Sequence, residues 1–560
     1  MGTISDKLMR IINTKEDIRQ ALISKGYDVP TSIPFKEYAK MISDLPCRVD
    51  SFPDIEGIVA RYSALGLTNE QMATNPVWVD KTGNGHDLQL KNFSWKGMSG
   101  VGGYGDENHQ TFYKFTLDDY VFIASPPGAK HMNFTFRVTG LQPGNKLTLA
   151  FFGTTNTVYG TWNKDGIYTV DADIVEAGKP TYFYNGYGAT RGEFTIEILP
   201  LYPGALVFDG VDDYGVCDNF PILTKEKGYT VVALRQWITY NPNAISAIAT
   251  NASDQSFNGA FTFENYNKGA EQTISYGATQ ISLQYSKSPF SWQTTSKYNG
   301  VNIANGNKDA TNSLVLGRSY PQRNDFANFA IWELVFLDHD ATEEELTKIK
   351  DYFVKTYPWL FFDQAWTVTG KTNEDEDRAT IANITGNGND LVLSNLGFAE
   401  GSGYNEEGEY AGYLVTDGVD DKVQSSSFTM NEDWTIVGDW ELLSNVQINC
   451  GIVKAQNVYL YNIANGLLIS INNPRSLQSF GTKSLHAICS DGRLYDRNWV
   501  EYEYTVDQNF EIVESSLNIG FNLNNYTQIA FKNLGIYNNQ ILSKEDCIKA
   551  YNYLQTLKAK

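Results

Sequence analysis

Short runs in which apolar and polar residues alternate are typical of the chain from about residue 50 onwards. In two examples every second residue is apolar: Met132, Phe134, Phe136 and Val138, and then Phe194, Ile196 and Ile198. A period of two places the apolar side chains on one face of a β-strand. The pattern therefore predicts strands that each present one face to a core.

The first 46 residues follow a different pattern. Their apolar residues recur at helical spacing: Leu8, Ile11, Ile12, Ile18, Ala21 and Leu22. Pro30 and Pro34 then precede a second helical stretch, Phe35 to Leu45. This spacing predicts two or three short helices. A unit this small buries too little apolar surface to be very stable alone, so we expect it to dock on a further surface.

The sequence contains an internal repeat of one module. Asp209–Asp213 reads DGVDD and recurs unchanged as Asp417–Asp421, and a TGNG turn precedes each copy, beginning at Thr82 and at Thr385. The first turn lies 127 positions before its DGVDD and the second lies 32, so the first copy contains 95 additional residues. An inserted domain accounts for them.

The repeat predicts four parts. They are a helical anchor, 1–46; a discontinuous first sandwich, 47–103 plus 204–360; an inserted β-sandwich, 104–203; and a second sandwich, 361–560. Each sandwich copy closes with a helix, because Thr342 and Ser543 are hydroxyl N-caps with an acidic residue three positions later. The predicted fold class is mainly β, with tandem jelly-roll sandwiches.

Composition supports the β prediction and excludes some partners. The chain has 560 residues with 47 Gly, 34 Tyr and 30 Phe, which favours short strands and tight turns. A net charge of −21 repels nucleic acid and anionic membrane surfaces. No apolar run approaches the roughly 20 residues of a membrane span, and no signal peptide is evident. We expect synthesis in a reducing cytoplasm, without membrane insertion.

The acidic DGVDD turns are the first candidate for site chemistry. Hard cations such as Ca²⁺ take several carboxylate oxygens, but Asp-Gly is also a favoured tight-turn pair, and Asp side chains cap turn N–H groups without metal. We prefer the turn interpretation and predict no metal, no cofactor and no catalytic residue. The acidic run Asp375–Asp377 is interpreted as a solvated loop.

The sequence contains no motif that indicates an enzyme. Glycosidases need two carboxylates on one site, yet Glu333 stands alone, and Asp338, His339 and Asp340 fall in a turn before a helix. Gly97–Gly100 (GMSG) lacks the full nucleophile-elbow pattern. The five histidines and the five cysteines are scattered. We predict that the chain is not an enzyme; a glycan depolymerase is the alternative.

Glycan binding would use exposed aromatic rings beside Asn or Asp side chains. Three loops have that composition: Asn265–Asn267, Tyr459–Asn462 and Asn524–Tyr526. Most tyrosines in a sandwich nevertheless lie in the core or in hairpins. The loops are therefore candidates only.

The repeat also carries a family resemblance. LVFDGVDDY (206–214), YTVVA (229–233), LVLG (314–317) and the strand and helix from Phe329 to Ile349 stand in an order that resembles the laminin-G-like, concanavalin A-like lectin sandwich family. The closing strand and helix of the second copy also resemble this family. The resemblance implies two antiparallel sheets packed face to face, and a capacity to bind glycans.

The helical leader, and the glycine-rich stretch from Thr82 to Gly105, resemble segments of tailed-bacteriophage fibre and appendage proteins. This implies a virion structural protein, on head or tail, attached to other virion proteins through residues 1–46. Its sandwiches would display sites for host or mucosal glycans, and a homodimer or homotrimer is expected. A purely structural capsid decoration that binds no ligand is a further alternative.

Overall fold

The structure of the chain is a computed structural model. It describes Lys15, Arg19 and the residues from Phe52 to Ala559 outside these segments: 105–111, 116–119, 125–130, 142–144, 152–155, 174, 176–179, 186–193, 225–226, 240–246, 254–260, 264–278, 286–291, 295–309, 319–320, 323, 407–409, 444–449, 456–457, 464–465, 472–477, 481–484, 504–513 and 523–524. The chain divides into two compact units, Met1–Asp54 and Ile55–Lys560. Lys15 and Arg19 are helical; the rest of the predicted helical anchor lies outside the described residues.

The described strands and helices follow one another in chain order. Before the insertion come β1 (Ile58–Ser63), helix α1 (Asn69–Thr74), β2 (Val77–Trp78), β3 (Leu88–Lys91) and β4 (Gly100–Val101). The insertion contains β5 (Phe112–Phe115), β6 (Tyr120–Ala124), β7 (His131–Thr139), β8 (Leu147–Phe151), β9 (Thr157–Trp162), β10 (Gly166–Asp173), β11 (Pro180–Asn185) and β12 (Phe194–Ile198).

The remainder of the first copy contains β13 (Leu206–Asp209), β14 (Tyr214–Cys217), β15 (Thr230–Trp237), β16 (Ala249–Ala252), β17 (Thr262–Phe263), β18 (Gln280–Tyr285), β19 (Trp292–Thr294), β20 (Ala310–Leu316), β21 (Asn328–Leu337), helix α2 (Glu343–Thr356) and a 3₁₀ turn (Pro358–Leu360).

The second copy contains β22 (Gln364–Thr367), β23 (Thr380–Ile381), β24 (Leu391–Ser394), β25 (Gly403–Tyr404), β26 (Leu414–Val415), β27 (Lys422–Thr429), β28 (Trp434–Leu442), β29 (Cys450–Ala455), β30 (Val458–Ile463), β31 (Gly466–Ile471), β32 (Gln478–Phe480), β33 (Leu485–Cys489), β34 (Arg493–Asp496), β35 (Glu501–Glu503), β36 (Glu514–Ile519), β37 (Phe521–Asn522), β38 (Asn525–Tyr526), β39 (Ile529–Asn538) and helix α3 (Lys544–Leu554).

Two antiparallel sheets form the first sandwich within the described residues. One has the order β19-β18-β15-β21-β13-β4, with β1 also paired to β21, and the other has the order β17-β16-β20-β14-β3-β2. Because β1 pairs with β21 and β3 pairs with β14, the segments before and after 104–203 share both sheets. Tyr62, Trp78, Phe208 and Phe336 fill the space between them.

The insertion and the second copy repeat this layering. In the described part of the insertion, the sheets β10-β7-β12-β5 and β6-β11-β8-β9 lie over a core that includes Phe136, Leu149 and Phe183. In the second copy, the sheet β25-β26-β39-β28-β33-β34-β35, with β22 on β39, accompanies the sheet β23-β24-β27-β36-β29-β30-β31-β32. Trp366 and Trp434 lie in its core.

Strand alternation explains these layers. In β3, Leu88 and Leu90 are buried while Gln89 and Lys91 are exposed, and β24 repeats the pattern. Burying one face per strand is what period-two alternation predicts. The predicted fold class, mainly β with sandwich sheets, is confirmed. The four-part division at residues 46, 103, 203 and 360 stays a prediction.

The predicted helix starts are confirmed. Thr342 caps α2 with a complete capping box, in which its hydroxyl accepts from the Glu345 N–H and the Glu345 carboxylate accepts from the Thr342 N–H. Ser543 caps α3 by accepting from the Asp546 N–H at 3.1 Å. In the described part of the chain, no helix has both the length and the apolar character needed to cross a membrane.

Candidate functional site

The first DGVDD motif is a tight turn between β13 and β14. The Asp209 Oδ1 atom accepts from the Val211 N–H at 2.8 Å and from the Asp212 N–H at 3.4 Å. Asp213 accepts from the Asp209 N–H at 3.0 Å and from the Ser99 hydroxyl at 3.0 Å. The first and last aspartates thus hold the turn closed and tie it to the glycine-rich loop of β4.

The second DGVDD motif reproduces these bonds between β26 and β27. Asp417 Oδ1 accepts from the Val419 N–H at 2.7 Å. Asp421 accepts from the Asp417 N–H at 2.8 Å and from the Ser402 hydroxyl at 3.1 Å. Two copies with the same donors and acceptors show that the first and last aspartates of the motif serve the turn itself.

The serine partners belong to a second shared element. Gly100 and Gly403 follow the two serines and have φ of +133° and +153°. A Cβ on either glycine would lie within 2.5–2.6 Å of the Oδ1 atom of Asn69 or Asn373, which accepts from the backbone N–H of the next residue. Glycine is required there because the asparagine occupies the space of a side chain.

Burial sets the protonation of the last aspartate in each turn. Asp213 is fully buried. Burial, reinforced by the negative charge of Asp209, raises the pKa of Asp213 to about 8. Burial also raises the pKa of Asp421. At neutral pH the Asp213 carboxyl therefore holds a proton in a large fraction of molecules.

Three carboxylates approach one another in each turn. One oxygen each from Asp209, Asp212 and Asp213 lies within 4.8 Å of the others, and the second turn repeats the arrangement. Ca²⁺ takes about six to eight oxygen ligands, and two of the three aspartates already accept N–H or O–H groups. The hydrogen bonds account for the first and last aspartates of each repeat, and we assign no metal to it.

A cation lies on aromatic rings beside the first turn. The Arg318 guanidinium carbon is 3.7 Å from the centre of the Tyr214 ring and 6.0 Å from that of Phe326. Tyr214 directly follows the turn, and Gly317 lies against the Asp213 carbonyl oxygen. Burial lowers the pKa of Arg318. Stacking holds the planar guanidinium in place with donors at its edge.

The second copy also has a cation beside an aromatic ring at this place, but the cation comes from a different position in the chain. Lys422 follows the second turn, where the first copy has Tyr214, and its ammonium lies 5.9 Å from the centre of the Tyr526 ring. Tyr526 corresponds to Phe326, since Ala327 and Thr527 make matching backbone bonds to Gly317 and Gly520. The ring at Phe326 or Tyr526 is therefore kept, while the cation is Arg318 in the first copy and Lys422, from a different position, in the second.

We call these groups the rim clusters. The first comprises 209–214, Arg318 and Phe326, and the second comprises 417–422 and Tyr526. A valine projects from the tip of each turn: Val211 is 66% exposed and Val419 is 70% exposed. Each rim cluster thus combines carboxylates, a cation on an aromatic ring and an exposed apolar tip.

The other residues considered from sequence have structural roles. Glu333 is fully buried, and its carboxylate pairs with the Arg61 guanidinium at 3.1 Å and accepts from the Tyr357 hydroxyl at 2.8 Å. Burial raises the pKa of Glu333, while the charge of Arg61 opposes the increase. The Ser99 hydroxyl in GMSG is bonded to Asp213. Neither residue is available to a substrate.

The acidic and histidine candidates lie in surface turns. The His339 ring nitrogens lie 3.4 Å from Asp338 and 3.3 Å from Glu345, at the start of α2. Asp375 accepts from the Thr372 N–H and hydroxyl, and Asp377 pairs with Lys371 at 2.7 Å. These contacts agree with the predicted loop at 375–377.

Of the three loops considered for glycan binding, only part lies within the described residues. Tyr526 belongs to the second rim cluster. The side chains of 459–462 and the whole of 265–267 lie outside the described residues. The rim cations Arg318 and Lys422 were not predicted. Neither residue was accessible from local patterns, because each cation contacts a ring that is distant in the sequence.

The chain is thus a mainly β protein of packed antiparallel sheets. No family model matches it, and no curated protein matches it. Among solved structures, Trypanosoma rangeli sialidase in complex with sialic acid is similar with a TM-score of 0.25 and 9% identity, over 72% of this chain and 76% of that one.

The binding domain of botulinum neurotoxin serotype D gives a TM-score of 0.23 and 10% identity, over 60% of this chain and 88% of that one. The receptor binding domain of botulinum neurotoxin C/D mosaic serotype gives a TM-score of 0.26 and 10% identity, over 60% of this chain and 89% of that one. Likenesses at these TM-scores support no conclusion about fold or function.

Proposed function

We propose that this chain is a display protein whose two rim clusters bind glycans, carried as a head or tail fibre or appendage of a tailed-bacteriophage virion. The observation that carries the glycan part is the recurrence of a cation beside an aromatic ring in both rim clusters, although the cation comes from different positions in the two copies. Hydrogen bonding accounts for the first and last aspartates of each turn, but not for the cation beside an aromatic ring or the exposed valine in both copies.

The chemistry of the rim clusters suits sugars. Glycan recognition combines apolar contact with a few oriented polar groups. Arg318, stacked on Tyr214, offers several N–H donors in a fixed plane to hydroxyl or carboxylate groups. Lys422 offers a more flexible ammonium beside Tyr526. Two weak sites on one chain would increase the overall avidity for a polymer that reaches both.

A glycan array probed with the full chain tests this proposal. We expect retention on the array, a reduced signal for Arg318→Ala or Lys422→Ala, and loss of most signal when both are changed. Lys348→Ala is the matched control, because Lys348 is an exposed cation on α2 that pairs with Glu344 on the same helix. Absence of binding by the unmodified chain would favour a purely structural decoration, and release of reducing ends would favour a depolymerase.

The virion part of the proposal rests on the resemblance of the helical leader. Deleting residues 1–46 should abolish incorporation into particles while the sandwiches still fold, which circular dichroism can verify. Incorporation of the shortened chain would overturn the attachment role. Sedimentation of the full chain would test the expected dimer or trimer.

A further inference from the structure

Helix α3 is buried on more of its surface than a closing helix requires. Seven of its eleven residues are buried, whereas three of the fourteen residues of its counterpart α2 are buried. A helix that covers one sheet buries one stripe and leaves the opposite face in water. The additional burial of α3 must come from neighbours other than its own sheet.

One face of α3 packs on its own sandwich. The Tyr551 hydroxyl donates to Asp439 of β28 at 3.1 Å, and its ring stacks on His486 at a centroid distance of 4.2 Å. Just beyond the helix, the Gln555 amide also donates to Asp439, at 3.2 Å. This face performs the role that α2 performs in the first copy.

A second face contacts the first sandwich. The Tyr553 hydroxyl accepts from the Thr279 N–H at 2.6 Å, and its ring meets Trp332 edge-on at 6.3 Å. The Gln236 amide, fully buried on β15, donates to the Thr556 hydroxyl at 3.5 Å. Tyr553 is itself buried, so its ring excludes water from this junction.

The start of α3 contacts the inserted sandwich. Arg137 on β7 pairs with Glu545 at 3.1 Å and with Glu197 of its own sheet at 2.8 Å. Glu344, at the corresponding position of α2, is 79% exposed and pairs with Lys348 on its own helix. The two closing helices therefore differ in what their outward faces contact.

We infer that residues 543–557 are a clasp that fixes the three sandwiches relative to one another, so that they move as one body. We call this segment the C-terminal clasp. It joins β28 of the second copy, β15 and β21 of the first copy and β7 of the insertion. Each of these junctions is formed by a different part of the segment, so loss of one should loosen one sandwich.

The test measures the size and the unfolding of the full chain by small-angle scattering and calorimetry. Tyr553→Ala combined with Arg137→Glu should increase the radius of gyration and split the main thermal transition. Adding Glu545→Arg to Arg137→Glu should restore the pair at the insertion and reverse that part of the change. Glu344→Lys, on the outward face of α2, is the matched control and should change neither measurement.

Unchanged scattering and an unsplit transition in the double variant would overturn the clasp. If Tyr553→Ala prevents folding, Arg137→Glu with Gln236→Leu decides the question, because both residues lie outside the second sandwich. That pair of substitutions should likewise enlarge the particle. Compact behaviour in this variant would contradict the inference as well.

Discussion

The two sandwich copies have different residues at the place where the closing segment packs on the sheet. In the first copy, Arg61 on β1 and Glu333 on β21 form a buried ion pair that also bonds the tyrosines of the closing segment, Tyr352 at 2.8 Å and Tyr357 at 2.8 Å. In the second copy the strand register places Ala365 and Asn533 at the corresponding positions.

The difference concerns the polar residue on the last strand and the way in which the closing helix is bonded to the sheet. Asn533 is fully buried, and its side-chain N and O atoms have no hydrogen-bond partner among the described residues. The closing helix of this copy is instead bonded through Tyr551 to Asp439 on the neighbouring strand. Each closing helix is bonded to its own sheet, and the position of that bond in the sheet can change while the sandwich is kept.

The largest expected effect follows from breaking the buried ion pair. Glu333→Ala leaves the Arg61 guanidinium buried without its carboxylate, so we expect a loss of about 3–5 kcal/mol. Asn533→Ala, the matched change in the second copy, should cost less than about 1 kcal/mol, since the amide makes no bond there. Chemical unfolding of the full chain, followed by Trp fluorescence, measures both.

Copying the second sandwich into the first sharpens this comparison. Arg61→Ala together with Glu333→Asn should be less destabilising than Glu333→Ala alone, because no charge is left buried. Equal losses for Glu333→Ala and Asn533→Ala would show that the ion pair contributes nothing beyond packing.

The next largest effect is a pH dependence at the first rim cluster. The folded-state pKa of Asp213, about 8, lies above its ordinary value of 3.8. Its contribution to stability is therefore complete below about pH 4 and is lost as the pH rises through 8. Asp213→Asn keeps an acceptor for the Asp209 N–H and cannot ionise, so at pH 8 it should be more stable than the native chain, by on the order of 1–3 kcal/mol.

Unfolding measured between pH 4 and pH 8.5 tests this dependence. Asp421→Asn should act in the same direction, because burial raises the pKa of Asp421 too. If the free energy of unfolding of the native chain does not change over this pH range, or changes just as that of Asp213→Asn does, then the pKa of Asp213 is not raised by folding.

How far the sequence predicts such features depends on their range along the chain. Alternation at Leu88 and Leu90 and the N-caps at Thr342 and Ser543 are local, so they could be predicted. The Ser99–Asp213 bond spans 114 positions and the Arg61–Glu333 pair spans 272. Contacts of that range depend on strand register, which apolar periodicity does not determine between distant strands.

The repeat supplied part of the missing signal. A Ser-Gly pair occurs before both DGVDD motifs, at Ser99 and Ser402, and both serines bond the last aspartate of the turn. Arg61 could not be found in this way, because its counterpart is Ala365. Features that keep the same residue in both copies can be found by comparing the copies, whereas the rim cations Arg318 and Lys422, which come from different positions, cannot.

Removing the serine hydrogen bonds should have a smaller effect on stability, and it tests whether the two rim clusters are equivalent. Ser99→Ala and Ser402→Ala each remove a hydroxyl donor to a carboxyl oxygen, so each should cost about 1–2 kcal/mol. The two losses should agree within roughly 0.5 kcal/mol, since the bonds measure 3.0 Å and 3.1 Å. A loss confined to one copy would show that its turn is held by other contacts.

The smallest effect on stability is expected at the tips of the turns. Val211 and Val419 are largely exposed, so Val211→Ala and Val419→Ala should each change the free energy of unfolding by less than about 0.5 kcal/mol. If the tips contact glycan, the double change should weaken retention on the array while unfolding stays as in the native chain. Unchanged retention would confine binding to the cations and rings, Arg318 on Tyr214 and Lys422 on Tyr526.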